Sequence, residues 1–262
     1  MAPRIRQMIP RMIKSIPPIV VKNPLPAAPP WKTAVCLESD RVAGHRNTPD
    51  FAELRAAMVE RQLRRRGISD ERVLAAMEAV PREEFVSERH RSRAYADAAQ
   101  PLGEGQTISQ PWIVAAICQA LELEGGERVL EVGTGSGYSA AVLARLAAEV
   151  ISVERHPSLA AAARLNLDSL GVQGVEVRVG DGSRGIPELA PFDAIAVHAT
   201  APGPPRTLLG QLGDGGRLVV PIAARSADML TVFSRDGEEL RSEEIGPCRF
   251  VPLVGEEGFG AD

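Results

Sequence analysis

Cysteine, histidine and long apolar runs are scarce in this sequence, and each scarcity excludes a class of protein. The 262 residues include only 3 cysteines and 4 histidines. The cysteines (Cys36, Cys118 and Cys248) stand far apart with no Cys-x-x-Cys spacing, which argues against a disulfide framework and against a zinc site. No uninterrupted apolar stretch approaches the ~20 residues that a membrane-spanning helix needs. We therefore expect a cytoplasmic protein without a bound metal.

The chain also lacks an excess of positive charge. It carries 30 Lys and Arg against 34 Asp and Glu, a net charge of −4, so no global field attracts nucleic acid or an anionic membrane. The basic triplet 64–66 has no interleaved aromatic residues, which favours a solvated helix face over a nucleic-acid patch. We expect no nucleic acid and no membrane among the partners, and we expect a monomer.

The first 50 residues differ from the rest of the chain. They are rich in proline, and no acidic residue precedes Glu38. Prolines at that density break helices and strand ladders, so we expect residues 1–50 to be a disordered basic extension. An alternative is that translation starts near Met58. Residues 51–125 are predicted to hold N-terminal helices and a polar loop that carries the active site, and residues 126–262 an α/β domain.

Strands and helices alternate regularly in the second half of the chain. This alternation predicts a doubly wound, mostly parallel seven-stranded sheet, Rossmann-like, with an N-terminal helical and loop subdomain. Asp236-Gly237 predicts a hairpin-like end. The expected strands are the one that ends before Gly133, then 150–154, 175–179, 192–198, 217–221, 229–234 and one near 249–253.

A glycine-rich turn follows the first of these strands. Gly133, Gly135 and Gly137 stand at every second position, with Glu131 two residues before the first glycine. This spacing fits neither a dinucleotide fingerprint nor a phosphate loop. It resembles the first motif of methyltransferases that use S-adenosylmethionine, in which the carboxylate can meet the cationic amino-acid end of the cofactor, directly or through water. The alternative is an ordinary tight strand-to-helix turn.

Two further acids fall at strand ends, where ligands of such sheets bind. Glu154 lies 21 residues after Gly133 (154 − 133), the place of the acid that binds ribose hydroxyls; otherwise it is a solvated charge. Asp181, beside Gly182, suits an adenine amino group; otherwise it belongs to an ordinary turn. Among the histidines only His198, at a strand end, is expected to face the pocket. Nothing resembles a nucleophile elbow, so no Ser-His-Asp arrangement is inferred.

Several longer segments carry a family resemblance. Met-Val-Glu-Arg-Gln-Leu (58–63), Val-Pro-Arg-Glu-Glu-Phe-Val (80–86), Gly-Gln-Thr-Ile-Ser-Gln-Pro-Trp (105–112), Gly-Asp-Gly (180–182) and Arg-Phe-Val-Pro-Leu (249–253) join the glycine motif. Together they resemble the protein-L-isoaspartate O-methyltransferase family from about Met58 to Gly255. Thr-Ile-Ser-Gln-Pro is the most specific of them and decides the family.

The resemblance implies a protein-repair enzyme. Such enzymes move a methyl group from S-adenosylmethionine, leaving S-adenosylhomocysteine, to the α-carboxylate of isoaspartyl residues in damaged proteins and peptides. The ester closes to a succinimide that reopens partly to normal aspartate. The resemblance implies Ser109 as the active-site residue, with Thr107 and Ile108 of the same segment beside the substrate. His198, from its place at a strand end, is a further candidate for contact with the substrate. The resemblance also implies cofactor contacts at Glu131, Gly133, Gly135, Gly137, Glu154, Asp181 and Gly182.

Three departures from the family pattern bear on substrate breadth. Ile186 stands where tryptophan is common, His198-Ala-Thr200 replaces a more usual Thr-Ala-Ala, and Asp228 stands where glutamine is frequent. Two rival functions stay open: a methyltransferase for another carboxylate or a small molecule, and a non-catalytic module that binds the cofactor or a partner. The 107–111 segment argues against the first, and Ser109 together with the three acids argues against the second. The spacing of the glycine turn argues against an NAD-dependent dehydrogenase.

Overall fold

The computed structural model describes Val20–Val21 and residues 50–260. The expectation for residues 1–50 therefore lies almost wholly outside the described residues. Within them, no helix is long and apolar enough to cross a membrane. The helices are α1 (Phe51–Met58), α2 (Glu71–Ala79), α3 (Pro111–Leu121), α4 (Tyr138–Leu143), α5 (Pro157–Ser169) and α6 (Arg206–Gly210). The strands are β1 (Val20–Val21), β2 (Gln100–Pro101), β3 (Thr107–Ile108), β4 (Arg128–Val132), β5 (Glu149–Glu154), β6 (Val175–Val179), β7 (Phe192–Val197), β8 (Leu212–Ile222), β9 (Asp228–Asp236) and β10 (Glu239–Cys248).

One large sheet confirms the predicted fold class. Its order is β1-β10-β9-β8-β7-β4-β5-β6, so seven strands form the expected sheet and β1 adds two residues at the β10 edge. Neighbours from β6 to β8 are parallel, whereas β9 and β10 form an antiparallel hairpin. The chain leaves β4 toward β5 on one side and later returns to β7 on the other. The switch point of the sheet, where α/β proteins bind ligands, therefore lies between β4 and β7.

The predicted position of the last strand was wrong. The tight turn at Gly237, which has a φ of +58°, folds the chain directly back, so β10 spans Glu239–Cys248. The apolar residues beyond it leave the sheet edge and cross the end of β7 instead. There the Thr200 amide donates to the Val251 carbonyl at 2.8 Å, and the Leu253 amide donates to the Thr200 carbonyl at 2.8 Å. This crossing brings the C-terminal segment to the switch point.

The N-terminal helices share the core of the sheet. Asp50 caps α1 by accepting from the amides of Ala52 and Glu53, and Asp70 caps α2 in the same way. Gly67, with a φ of +94°, ends the helical turns that continue α1. Helix α3 follows β3 and packs on β7 and β8, so it carries the polar loop before it to the carboxyl ends of the strands.

Candidate active site

A deep cleft lies at the switch point, beyond the carboxyl ends of β4, β5 and β7. It encloses about 910 Å³ including its open mouth, within the usual range of small-molecule sites. Its lining combines the polar loop, the glycine turn, the β5 end and the C-terminal segment. The predicted site residues that line it are Thr107, Ile108, Ser109, Gly133, Gly135, Glu154, Gly182 and His198. We call this space the first cleft.

The glycine turn needs glycine for two different reasons. Gly133, Gly135 and Gly137 have φ values of +96°, +55° and +88°, a region that disfavours side chains. Gly133 and Gly135 line the first cleft and leave their backbone open to a ligand. Gly137 does not line it: this residue caps α4, and a Cβ there would lie 3.3 Å from Leu167 on α5. Its glycine serves the packing of two helices.

Glu154 both faces the cleft and closes the glycine turn. Its side chain is buried at 5% exposure. The Gly135 amide donates to Oε2 at 2.9 Å, and the His156 amide donates to Oε1 at 3.0 Å. Each carboxylate oxygen accepts one backbone hydrogen bond, which leaves each a lone pair for a ligand hydroxyl.

The structure separates Asp181 from Gly182. Gly182 lines the first cleft, and a Cβ there would lie 2.5 Å from Val132 Cγ1, so no larger residue fits. Asp181 does not line the cleft. Its Oδ1 accepts from the Ser183 amide and hydroxyl at 2.9 and 2.7 Å, and its Oδ2 accepts from the Glu256 amide at 2.8 Å. Partial burial opposes ionisation, but these donors outweigh it and lower the pKa of Asp181. Asp181 therefore anchors the C-terminal segment.

Glu131 is buried behind the cleft wall. It is 0% exposed and is not among the residues that line the first cleft. Its Oε2 accepts from the Ser152 hydroxyl at 2.5 Å, whereas its Oε1 has no hydrogen-bond partner among the described residues. That oxygen lies 3.4 Å from His198 Nε2. The geometry thus places His198 between Glu131 and the cleft, and the expected contact of Glu131 with a cofactor, directly or through water, stays a prediction.

His198 lies where two clefts meet. Its Nε2 is 2.8 Å from the Ser139 hydroxyl, and the ring is buried at 8% exposure. A second cleft opens next to the first and shares four lining residues with it: Thr107, Ser109, His198 and Val251. The other residues that line the second cleft are Arg66, Ala99, Gln110, Trp112, Ile113, Pro247, Cys248, Arg249 and Phe250.

Ser109 occupies this junction with a free hydroxyl. Strand β3 pairs with β2, and Ser109 follows directly, half-buried between the hairpin and α3. Among the described residues its hydroxyl makes no hydrogen bond, although its carbonyl accepts from Arg82 Nη2 at 2.7 Å. The N-cap of α3 is Gln110, and no side chain caps this helix. Ser109 therefore does not serve as the N-cap of α3.

Arg82 is a buried cation that sequence reasoning did not assign. It is 0% exposed; Nε donates to the Ala94 carbonyl at 2.8 Å, and the guanidinium lies 4.7 Å from the centre of the Tyr138 ring. Burial lowers the pKa of Arg82, while Tyr138 and Tyr95 oppose that shift. Tyr138 itself lines the first cleft. Arg82 thus joins Ser109 on one wall to Tyr138 on another.

Sequence reasoning missed other residues of the wall. Ser139, Tyr138 and the C-terminal residues 251–254 all line the first cleft. The family resemblance of the segment 249–253 could have identified residues 251–253, but the sequence pattern predicted a strand there. Within the described part of the chain, no group of three His, Cys, Asp or Glu residues is placed to hold a metal ion.

The matching family model and two similar proteins carry the same family name. The family model described as "Protein-L-isoaspartate(D-aspartate) O-methyltransferase (PCMT)" matches residues 54–258. Protein-L-isoaspartate O-methyltransferase 2 of Marinobacter nauticus is 54% identical over 212 residues, covering 80% of this chain and 97% of the relative. Protein-L-isoaspartate O-methyltransferase 1 of Rhodopseudomonas palustris is 53% identical over 213 residues, covering 80% and 87%.

Two solved methyltransferase structures superpose on this chain. A protein-L-isoaspartate O-methyltransferase structure superposes with a TM-score of 0.70 at 32% identity, covering 78% of this chain and 67% of the other. A beta-aspartate methyltransferase from Plasmodium falciparum, in complex with S-adenosyl-L-homocysteine, superposes with a TM-score of 0.67 at 26% identity. The match covers 76% of this chain and 98% of that one.

Proposed function

Because the chain belongs to the protein-L-isoaspartate(D-aspartate) O-methyltransferase family, we propose that its first cleft holds S-adenosylmethionine and its second admits an isoaspartyl residue. The activity is methyl transfer to the α-carboxylate of L-isoaspartyl residues in damaged proteins and peptides, the step that begins their repair. The meeting of the two clefts at Ser109 and His198 is the observation that carries the assignment of the clefts.

The lining of the first cleft suits the cofactor. Gly133 and Gly135 present open backbone, and Gly182 lines the cleft where a Cβ would clash with Val132. Glu154 has spare lone pairs for the ribose hydroxyls. When bound, S-adenosylmethionine supplies a methyl group on a sulfonium, which is its own leaving group. Glu131 and Asp181 do not line the first cleft. Glu131 acts through His198, and Asp181 acts by holding the C-terminal segment in place.

The acceptor needs orientation more than activation. A carboxylate is already ionised at pH 7, so no general base is required. The Ser109 hydroxyl is free to donate to one carboxylate oxygen, and His198 lies at the same junction. Thr107 lines both clefts beside them, and Ile108 lines the first. Such residues accelerate transfer by holding the acceptor oxygen in line and away from water.

We further propose that the chain works as a monomer, because residues of one chain line both clefts. Light scattering on the purified protein measures this directly, and a dimer mass would contradict it. A cytoplasmic location stays a prediction from the cysteine content.

Turnover of paired peptides tests the proposed function. Two peptides of the same sequence, one with L-isoaspartate and the other with normal aspartate, are incubated with donor labelled in the methyl group. We expect base-labile label, released as methanol, only from the isoaspartyl peptide. Equal labelling of both peptides would favour a broader carboxyl methyltransferase, and labelling of neither would favour a binding module.

A further inference from the structure

The second cleft is positively charged in a protein that is negative overall. Arg66 and Arg249 line it, and no Asp or Glu is among the described residues that do so. The whole chain has a net charge of −4. A cleft lined by one sign of charge concentrates ligands of the opposite sign. The isoaspartyl carboxylate is one such ligand, but it lies at the junction of the clefts, whereas Arg249 lines only the second cleft.

The two arginines differ in how far their charge is already balanced. Arg66 Nη1 lies 2.6 Å from Asp97 Oδ2, and its guanidinium lies 4.9 Å from the centre of a Trp112 ring. Arg249 is exposed and forms no ion pair with any described residue. Arg249 is therefore the cation of this cleft that a ligand can still neutralise.

The position of Arg249 separates it from the reacting carboxylate. Thr107, Ser109, His198 and Val251 line both clefts, whereas Arg249 lines only the second. The carboxylate that receives the methyl group must lie at the junction, within reach of the donor. A group that reaches Arg249 must then belong to a neighbouring part of the acceptor, alongside the apolar surface of Trp112 and Phe250.

We propose that the second cleft selects isoaspartyl acceptors that carry an acidic side chain next to the damaged residue, and that Arg249 is the residue that binds this second carboxylate. The inference rests on the proposed function and names the substrate class within it. An exposed ion pair changes an equilibrium by a factor of roughly two to five. We expect a preference of that size, expressed mainly in KM because the contact lies away from the reacting atoms.

Peptides that differ at a single flanking residue test the proposal. Isoaspartyl peptides with Glu, Gln or Lys on either side are compared by kcat/KM. The wild type should favour Glu over Gln, and Gln over Lys, on at least one side. Arg249→Gln should remove the preference, so that the Glu and Gln peptides give similar kcat/KM values, and Arg249→Lys should retain part of it. Arg145→Gln removes the same charge from an exposed residue that lines neither cleft, so the preference should persist.

Ionic strength gives a second measurement that needs no variant. Salt screens exposed charges, so the Glu preference of the wild type should shrink as salt rises. A wild type without a Glu preference on either side would overturn the proposal, as would a preference that survives in Arg249→Gln. Turnover of the neutral Gln peptide tests the proposed function separately, so a failure of charge selection is not confused with a failure of methyl transfer.

Discussion

Glu154 combines two tasks that its position at the end of β5 makes possible. It accepts hydrogen bonds from the amides of Gly135 and His156, which fixes the glycine turn, and it faces the first cleft. Ser109 has the opposite character. Its backbone carbonyl accepts a hydrogen bond from Arg82, while its hydroxyl, at the junction of the clefts, bonds to no described residue. These two residues therefore separate binding of the cofactor from orientation of the acceptor.

Glu154→Ala should weaken cofactor binding without unfolding the protein. A hydrogen bond to a charged acceptor contributes about 1.5–3 kcal/mol, so affinity for S-adenosylhomocysteine should fall roughly ten- to a hundredfold. Titration calorimetry measures the dissociation constant. Glu176→Ala on neighbouring β6 removes an exposed carboxylate paired with Arg178 and should leave the affinity unchanged. An unchanged constant in Glu154→Ala would refute the ribose assignment.

Ser109→Ala should slow methyl transfer while cofactor affinity and melting temperature stay near normal. Loss of one hydrogen bond to a carboxylate costs about 1.5–3 kcal/mol, or roughly ten- to a hundredfold in rate. Stability should not change, because the hydroxyl bonds to no described residue and Gln110 is the N-cap of α3. Ser169→Ala, at an exposed hydroxyl on α5, is the matched control. Normal turnover in Ser109→Ala would remove Ser109 from the catalytic residues.

Short connections, more than the regular elements, build the walls of the site. The β2–β3 hairpin leads to Ser109, and Arg82 links this residue to the Ala94 carbonyl and to the Tyr138 ring. On the other side, the segment after β10 crosses the end of β7 and is held to the turn after β6 by Asp181. Each connection depends on a charged side chain of its own, Arg82 or Asp181, which bonds backbone groups from distant parts of the chain.

Arg82→Met should lower both stability and kcat. It leaves the buried Ala94 carbonyl and the partly buried Ser109 carbonyl without these donors, at a cost of about 1–3 kcal/mol for each, and it frees the Ser109 backbone. Misplacement by about 1 Å can cost a hundredfold in rate, so turnover should fall even well below the melting temperature.

Arg72→Met is the matched control for this change. Arg72 also donates to two carbonyls, those of Leu123 and Leu146, but lines neither cleft. The Arg72→Met variant should be less stable than the wild type and should keep its kcat. A normal kcat in folded Arg82→Met would reduce Arg82 to a purely structural role.

Asp181→Ala should release the C-terminal segment, and its effect should depend on pH. The folded state lowers the pKa of Asp181 below its usual 3.8. A depressed carboxyl pKa stabilises the fold above the unfolded pKa, and this contribution disappears as pH falls through the folded pKa. At pH 7 the loss of hydrogen bonds to the carboxylate should cost about 1.5–3 kcal/mol. Urea unfolding at neutral and acidic pH should show a smaller difference from wild type in acid; a constant difference would contradict the assignment.

The described region from Asp50 onward contains the main hydrophobic core of the molecule. Phe51 packs against the core, and Met58 is 1% exposed within it. In the described part of the preceding segment, Val20–Val21 pairs with Arg241 and Ser242 at the sheet edge. We therefore expect the helices, the sheet and both clefts to fold without the residues before Asp50.

A chain that begins at Asp50 should keep its melting temperature and its turnover of isoaspartyl peptide. It retains the N-cap of α1 and all residues of both clefts. A chain that begins at Val59 serves as the comparison: it loses α1 and should melt at a lower temperature, because Phe51 and Met58 leave the core. A destabilised chain from Asp50 would show that the extension packs on the folded part.

The sequence alone determined the fold class, the glycine turn and the junction residue. Alternation of apolar strands with helices predicted the parallel sheet, and strand β6 has the bounds that periodicity gave it. Glu154 followed from its distance to Gly133, and Ser109 from the family resemblance of its segment. These features are local, because each depends on residue types at fixed separations along the chain.

Only the tertiary structure decided which of these residues reach the cleft. Glu131 and Asp181 carry the same charge as Glu154, yet one lies behind His198 and the other anchors Glu256. Arg82 and the C-terminal segment became part of the site through contacts between residues far apart in sequence. Such contacts depend on how elements pack around the switch point, and a linear pattern does not specify which neighbour fills the space beside a given side chain.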